Sequence, residues 1–214
     1  YEVIIRSAMI TNETRRLRKI ILRGSNLVVA KKITIVKTYI LSKGLFQCGS
    51  WDTLPPKVFR KFHHAIMACY RSLDKTVDLD NLEKDDDIVF KYNLIAPMTY
   101  LRYSRLSLFL RVIKKAPKFL IDLCLATSTL KGGWTEALMS DFKWLCLGPQ
   151  FSELANKDLD FKAWVDLFNC DVGSYTKSIK KWIISPFANI VATWTDSLPM
   201  TYASAESYQC KSHE

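Results

Sequence analysis

A chain of 214 residues, 49% hydrophobic and 24% charged, carries enough apolar surface for one substantial core or two small ones, which excludes disorder along its whole length. No apolar run reaches the roughly 18 residues of a membrane helix, and the start lacks the order of a secretory signal, so the expectation is an intracellular protein, nuclear or cytoplasmic, with no membrane partner. The net charge of +10 is unevenly placed: up to Arg71 there are 14 Lys and Arg against Glu2, Glu13 and Asp52, and the remainder sums to −1. A one-sided positive field of this kind suits a polyanion such as nucleic acid or an anionic membrane surface.

Glycines number only seven, and apolar residues recur at three- and four-residue spacing almost from end to end, which predicts an all-α chain: a multi-helix bundle of short to medium amphipathic helices. The first helix is expected from about Glu2 to Arg23, with a break at Thr11 and Asn12, closing at Gly24. Ser25 or Asn26 then caps a second that runs to about Lys43. Pro55 and Pro56 open a third, whose stripe is Val58, Phe59, Phe62, Ala65, Ile66, Cys69, Tyr70 and Leu73. Lys57, Arg60, Lys61, His64 and Arg71 lie mainly off that stripe and form a basic face.

From Asp74 to Asp87 the chain turns acidic. Asp78, Asp80, Glu83, Asp85, Asp86 and Asp87 lack the glycine and the spacing of a calcium loop, and read as a solvated linker. Beyond Pro97, Leu101, Leu106, Phe109, Leu110, Val112 and Ile113 mark a helix that Pro117 stops or kinks. Further short amphipathic helices are expected around Trp134 to Leu145, Phe161 to Phe168, Val172 to Ile183, and Phe187 to Leu198. The organisation is thus a basic helical segment over 1–74, an acidic linker over 75–97, a helical region over 98–198 and a tail over 199–214, with the two helical segments as candidate subdomains.

The six cysteines, Cys48, Cys69, Cys124, Cys146, Cys170 and Cys210, never form a close pair and read as reduced, buried thiols. Adjacent His63 and His64 point in different directions, so they cannot chelate together. One is expected packed and the other exposed. Glycine-flanked serine elbows and glycine-rich phosphate loops are missing, and Gly132 and Gly133 mark a helix boundary. No complete catalytic centre is legible.

The candidate nucleic-acid contacts are Arg15, Arg16, Arg18, Lys19, Lys31, Lys32, Lys37, Lys57, Arg60 and Lys61. Each cation that neutralises a phosphate releases counterions. A lone run of this kind is more often a solvated helix surface, but three consecutive helices share the excess. The alternative function is a helical protein-interaction module with no nucleic-acid role, its charge serving solubility or an acidic partner.

One resemblance is specific in its order of features. Tyr39, Ile40, Leu41, Ser42, Lys43, Gly44, Leu45 and Phe46, then Trp51, then Leu54 and a helix closing on Cys69, Tyr70, Arg71, Ser72 and Leu73 resemble the thumb that follows the palm in non-long-terminal-repeat (LINE-like) retrotransposon reverse transcriptases. Arg105, Leu106, Leu110, Arg111, Val112 and Pro117, with Trp134, Asp141, Trp144 and Leu145, resemble the helical region after that thumb. These are loose packing patterns spanning most of the chain. The resemblance implies a template-primer binding piece of an RNA-directed DNA polymerase, partnered by RNA or an RNA/DNA duplex and by the rest of that polymerase. The family's paired-aspartate palm motif and its Mg2+ would lie upstream of Tyr1. Asp85, Asp86 and Asp87 lack its context and take no catalytic role. A zinc-binding module often follows the helical region, which makes Cys210 and His213 the first ligands of a truncated one. The start at Tyr1 and the abrupt stop at Glu214 agree with the expectation of a piece cut from a larger protein.

Overall fold

The computed structural model describes residues 2–24, 26–73 and 84–184, and within them every regular element is a helix. Helix α1 spans Glu2–Leu17 and passes without interruption at Thr11 and Asn12 into a π-helical turn, Arg18–Leu22. Its inward stripe is Val3, Ser7, Ile10 and Thr14. The small hydroxyl residues let a neighbour approach closely, and Ser7 Oγ satisfies itself by donating to the Val3 carbonyl at 2.7 Å.

Helix α2, Val29–Ile35, widens into a second π-helical stretch, Val36–Leu41, and closes as the short α3, Ser42–Gly44. The residue at the start of α2 is Val28, which has no side-chain acceptor to offer, so Asn26 does not stand at the cap position, and Ser25 lies outside the described residues. Along the outer side Thr34, Thr38 and Ser42 donate their hydroxyls to the carbonyls of Ala30, Thr34 and Thr38. Such bonds to the preceding turn compete with the α-helical ladder and bend it, which accounts for the wider turn here. Gly44 is required by close approach: a Cβ there would run into the Ile10 side chain of α1.

Helix α4, Pro56–Arg71, starts on a proline, as its sequence predicts, and buries Phe62, Ala65, Ile66, Met67, Cys69 and Tyr70. Met67 widens the expected stripe. Trp51, in the extended approach to α4, meets Phe62 edge to face at 5.6 Å. Asp78, Asp80 and Glu83 lie outside the described residues, but the described end of the acidic stretch departs from expectation. Asp85–Lys91 is a helix, α5, whose carboxylates fall in its first turn, where the helix dipole favours negative charge. Its Ile88 and Val89, with Leu94 beyond it, belong to the same core as α1 and α4. Residues 85–96 are therefore packed structure and not linker.

Helix α6, Pro97–Lys115, ends before Pro117, and α7 follows over Lys118–Ala126. Helices α8 (Trp134–Leu145), α9 (Phe161–Cys170) and α10 (Val172–Ile184) complete the described chain, with Gly132 in the left-handed conformation (φ +77°) before α8. The α9 cap is Asp160, whose carboxylate accepts from the Ala163 amide at 2.7 Å. Phe109, Phe142, Phe161, Trp164 and Phe168 interlock in a second core, with Phe142 stacked on Trp164 at 4.6 Å. The two cores meet inside α6: Leu101 belongs to the first, and Leu106, Phe109, Leu110 and Ile113 to the second. That seam lies within the segment expected to be the second subdomain. Cys48, Cys69 and Cys146 are buried thiols as expected, Cys124 is half-buried, and Cys170 is exposed. The helix expected over 187–198, together with Cys210 and His213, lies outside the described residues.

Candidate nucleic-acid interface

The basic face of α4 follows from its periodicity. Because Phe62, Ile66, Cys69 and Tyr70 point inward, Lys57, Arg60, Lys61 and His64, spaced as successive neighbours on one side of a helix, are exposed together. Among the described residues Lys57, Arg60 and Lys61 make no ion pair. Among the described residues the stripe is a row of unpaired positive charge on a helix whose other side is locked into the first core.

At the far end of α1 and in the π turn after it, Arg15, Arg16, Arg18 and Lys19 are exposed, as are Lys31 of α2 and Lys37 of the second π-helical stretch. Arg16 lies 3.4 Å from Glu13 but keeps 72% of its side chain exposed, so the pair is weakly held. Glu13 is engaged more firmly by Lys43, 3.1 Å away, whose ammonium also sits 3.9 Å from the centre of the Tyr39 ring. Hydrogen bonds to Tyr39 and Glu13 raise the Lys43 pKa. Lys43 thus ties the end of α2–α3 to α1.

Lys32 does not belong with the other nine candidates. It is only 3% exposed, because α2 turns the stripe of Lys32, Val36 and Ile40 toward the core. Its aliphatic stem is what suits that position.

Asp85 organises a second site at the back of α4. Its carboxylate receives His63 Nε2 at 2.7 Å on one oxygen and the Arg71 guanidinium on the other. The His63 hydrogen bond, aided by the Arg71 charge, lowers the Asp85 pKa against the opposing effect of burial. Burial and the neighbouring charges of Asp85 and Asp87 raise that of Asp86. Arg71 and His63 are thereby taken up in fastening α5 to α4, while His64 stays on the surface, which gives the expected division of the two histidines.

At the seam between the cores, Arg105 donates to Asp141 through Nε at 2.6 Å and Nη2 at 2.8 Å, and the Arg102 guanidinium lies 5.1 Å from the Trp144 ring centre. Arg105, Asp141 and Trp144 had stood out only as scattered members of a pattern, and the fold brings them together. Sequence reading missed one further gathering of charge. Arg111, Lys114 and Lys115 of α6 and Lys177 and Lys180 of α10 border one groove, although some 60 residues and many acids separate them along the chain.

Among the described residues there is no group of three or more metal-ligating side chains, and no helix is long and apolar enough to cross a membrane. Compared with protein-family models, with curated proteins and with solved structures, the chain matches none.

Proposed function

We propose that this chain is a nucleic-acid-binding helical unit that holds a template-primer duplex by its phosphates, in the manner of the thumb of a retrotransposon-type RNA-directed DNA polymerase. The observation that carries the proposal is the α4 stripe: three cations at helical spacing, exposed, without a carboxylate partner among the described residues, and mounted on a helix anchored by Phe62, Ile66 and Tyr70. Arg15, Arg18 and Lys19 extend the positive surface at the end of α1. Contacts of this type position a backbone and carry no sequence information.

The test is fluorescence anisotropy with an RNA/DNA hybrid duplex over a salt series. A site that neutralises three to four phosphates gives a log-log slope of about −3, at roughly −0.9 per phosphate. Replacing Lys57, Arg60 and Lys61 together with Gln flattens that slope by two units or more and leaves helicity intact, since Gln also favours helices. An unchanged slope sinks the proposal. A second reading, a protein-interaction module, is favoured by α7, in which Phe119 and Leu123 stand exposed, as does Leu130 beyond its end. It becomes the better account if the triple variant binds duplex as the parent does.

A further inference from the structure

The groove between the 45–50 loop, α6 and α10 has a volume of about 1130 Å³ and is open to solvent. Among the described residues its charged lining consists of Arg111, Lys114, Lys115, Lys177 and Lys180, with no carboxylate. On α6 the cations are spaced three and four residues apart, and on α10 three apart, so each helix contributes a row on its groove side. All five are exposed, and among the described residues none makes an ion pair. The nearest acid along α10, Asp171, is occupied in capping, its carboxylate accepting from the Ser174 amide at 2.9 Å. The serines Ser104 and Ser107 of α6 add hydroxyls to the lining.

The loop supplies a different chemistry. Phe46 stands at the groove 56% exposed, with the Arg6 guanidinium 5.3 Å from its ring centre. The loop that presents it is held firmly. Cys48 and Gly49 are buried, Gly49 sits against the backbone of Ser104 with no room for a side chain, and Trp134 Nε1 donates to the Gly49 carbonyl at 2.6 Å. Keeping a phenylalanine in water is unfavourable, and here it is kept there on a fixed support beside two rows of cations. Cationic grooves with an aromatic platform are how proteins hold unpaired strands: the phosphates lie along the charge, and a base stacks on the ring. A duplex presents base edges and not base faces, so it has no use for such a platform.

We propose that this groove binds single-stranded nucleic acid, with phosphates between the cations of α6 and α10 and one base stacked on Phe46. It is a second site on residues separate from the α4 stripe, and it stands or falls independently of duplex binding there.

The experiment uses the full chain and a fluorescent single-stranded oligouridylate or oligodeoxythymidylate, read by anisotropy over a salt series, with the hybrid duplex and an acidic poly-glutamate peptide as parallel probes. The double variant Lys177→Gln, Lys180→Gln is expected to weaken single-strand binding about tenfold and to reduce the log-log slope by roughly 1.4, at about 0.7 per phosphate for a single strand. Lys177→Arg with Lys180→Arg restores both. Phe46→Ala weakens binding by about five- to a hundredfold with the slope unchanged, as loss of one stacked base requires, and Phe46→Trp restores it. Duplex affinity at the α4 stripe is unaffected by these changes, whereas the Lys57, Arg60 and Lys61 variant loses duplex and keeps the single strand. The proposal is overturned if the groove variants bind single strands as the parent does. It is equally overturned if Phe46→Ala has no effect while poly-glutamate binds as tightly as the oligonucleotide, since the groove then takes acidic peptides.

Discussion

Arg105 and Asp141, 36 positions apart in the chain, form a two-pronged hydrogen-bonded ion pair at 2.6 and 2.8 Å on a carboxylate with 0% exposure. Arg102 stands beside them, its Nε 3.7 Å from the same carboxylate. This pairing is the polar joint between the two cores. A buried charge deprived of its partner is costly, whereas the intact pair contributes little net stability over an apolar replacement.

Asp141→Ala is therefore expected to destabilise the protein by about 3–5 kcal/mol, since it leaves two buried guanidiniums without their carboxylate. Arg105→Lys also loses stability, because an ammonium cannot reproduce the fork that meets both oxygens. Urea denaturation followed by circular dichroism measures both. A loss under about 1 kcal/mol for Asp141→Ala would contradict the role assigned here.

Trp51→Ala and Trp144→Ala each remove a buried indole and should cost about 3–5 kcal/mol. Trp144 is the more damaging of the two, because it packs near Trp182 at 5.8 Å and also covers the Arg102 guanidinium, while Trp51 meets the ring of Phe62 alone among the described residues. Thermal melting of the two variants side by side checks the order. Equal or reversed losses would show that the seam is less demanding than its burial implies.

Asp85 makes stability depend on acid. Its folded pKa is depressed, chiefly by the His63 hydrogen bond, so below about pH 4, the ordinary carboxylate value, the unfolded chain binds more protons than the folded one. The stabilisation is present above that value and is lost as pH falls through the folded pKa. Asp85→Asn should accordingly be less stable than the parent near neutrality and should show a flatter fall in melting temperature between pH 4.5 and 2.5. Parallel curves over that range would remove Asp85 from the account.

Lys32 and Lys31 provide a matched pair, adjacent in sequence and opposite in burial. Lys31→Gln is expected to lower the salt slope of duplex binding by up to about 0.9 if Lys31 touches a phosphate. Lys32→Met should leave that slope unchanged and should be neutral or stabilising, since a buried lysine position accepts an apolar chain of similar length. A slope change on Lys32→Met would mean that the side chain reaches solvent when nucleic acid binds.

Local signals in the sequence were read well, and long-range ones were not. Pro56 and Pro97 mark the first turns of α4 and α6, and the α4 stripe separates buried Phe62 and Ile66 from exposed Lys57 and Lys61, because these depend only on helical period and on the missing proline N–H. The π-helical turns shift that period: once a turn widens, the facing of Lys32 relative to Lys31 and Lys37 can no longer be taken from an ideal wheel. Asp85 looked like solvated linker because its partners His63 and Arg71 belong to the preceding helix. The groove cations were overlooked for the same reason, since Lys177 and Lys180 sit in a charge-balanced stretch and become a basic surface only when α10 packs on α6.

Helix α6 has a consequence for how the polypeptide can be divided. A cut at the end of the expected linker, before 98, would take Leu101 from the first core and leave Ile88, Val89 and Leu94 without it, exposing apolar surface on both pieces. The halves are thus not interchangeable modules that recombination or engineering can shuffle at the acidic stretch. They share one beam, since a single helix gives Leu101 to one core and Leu106, Phe109, Leu110 and Ile113 to the other.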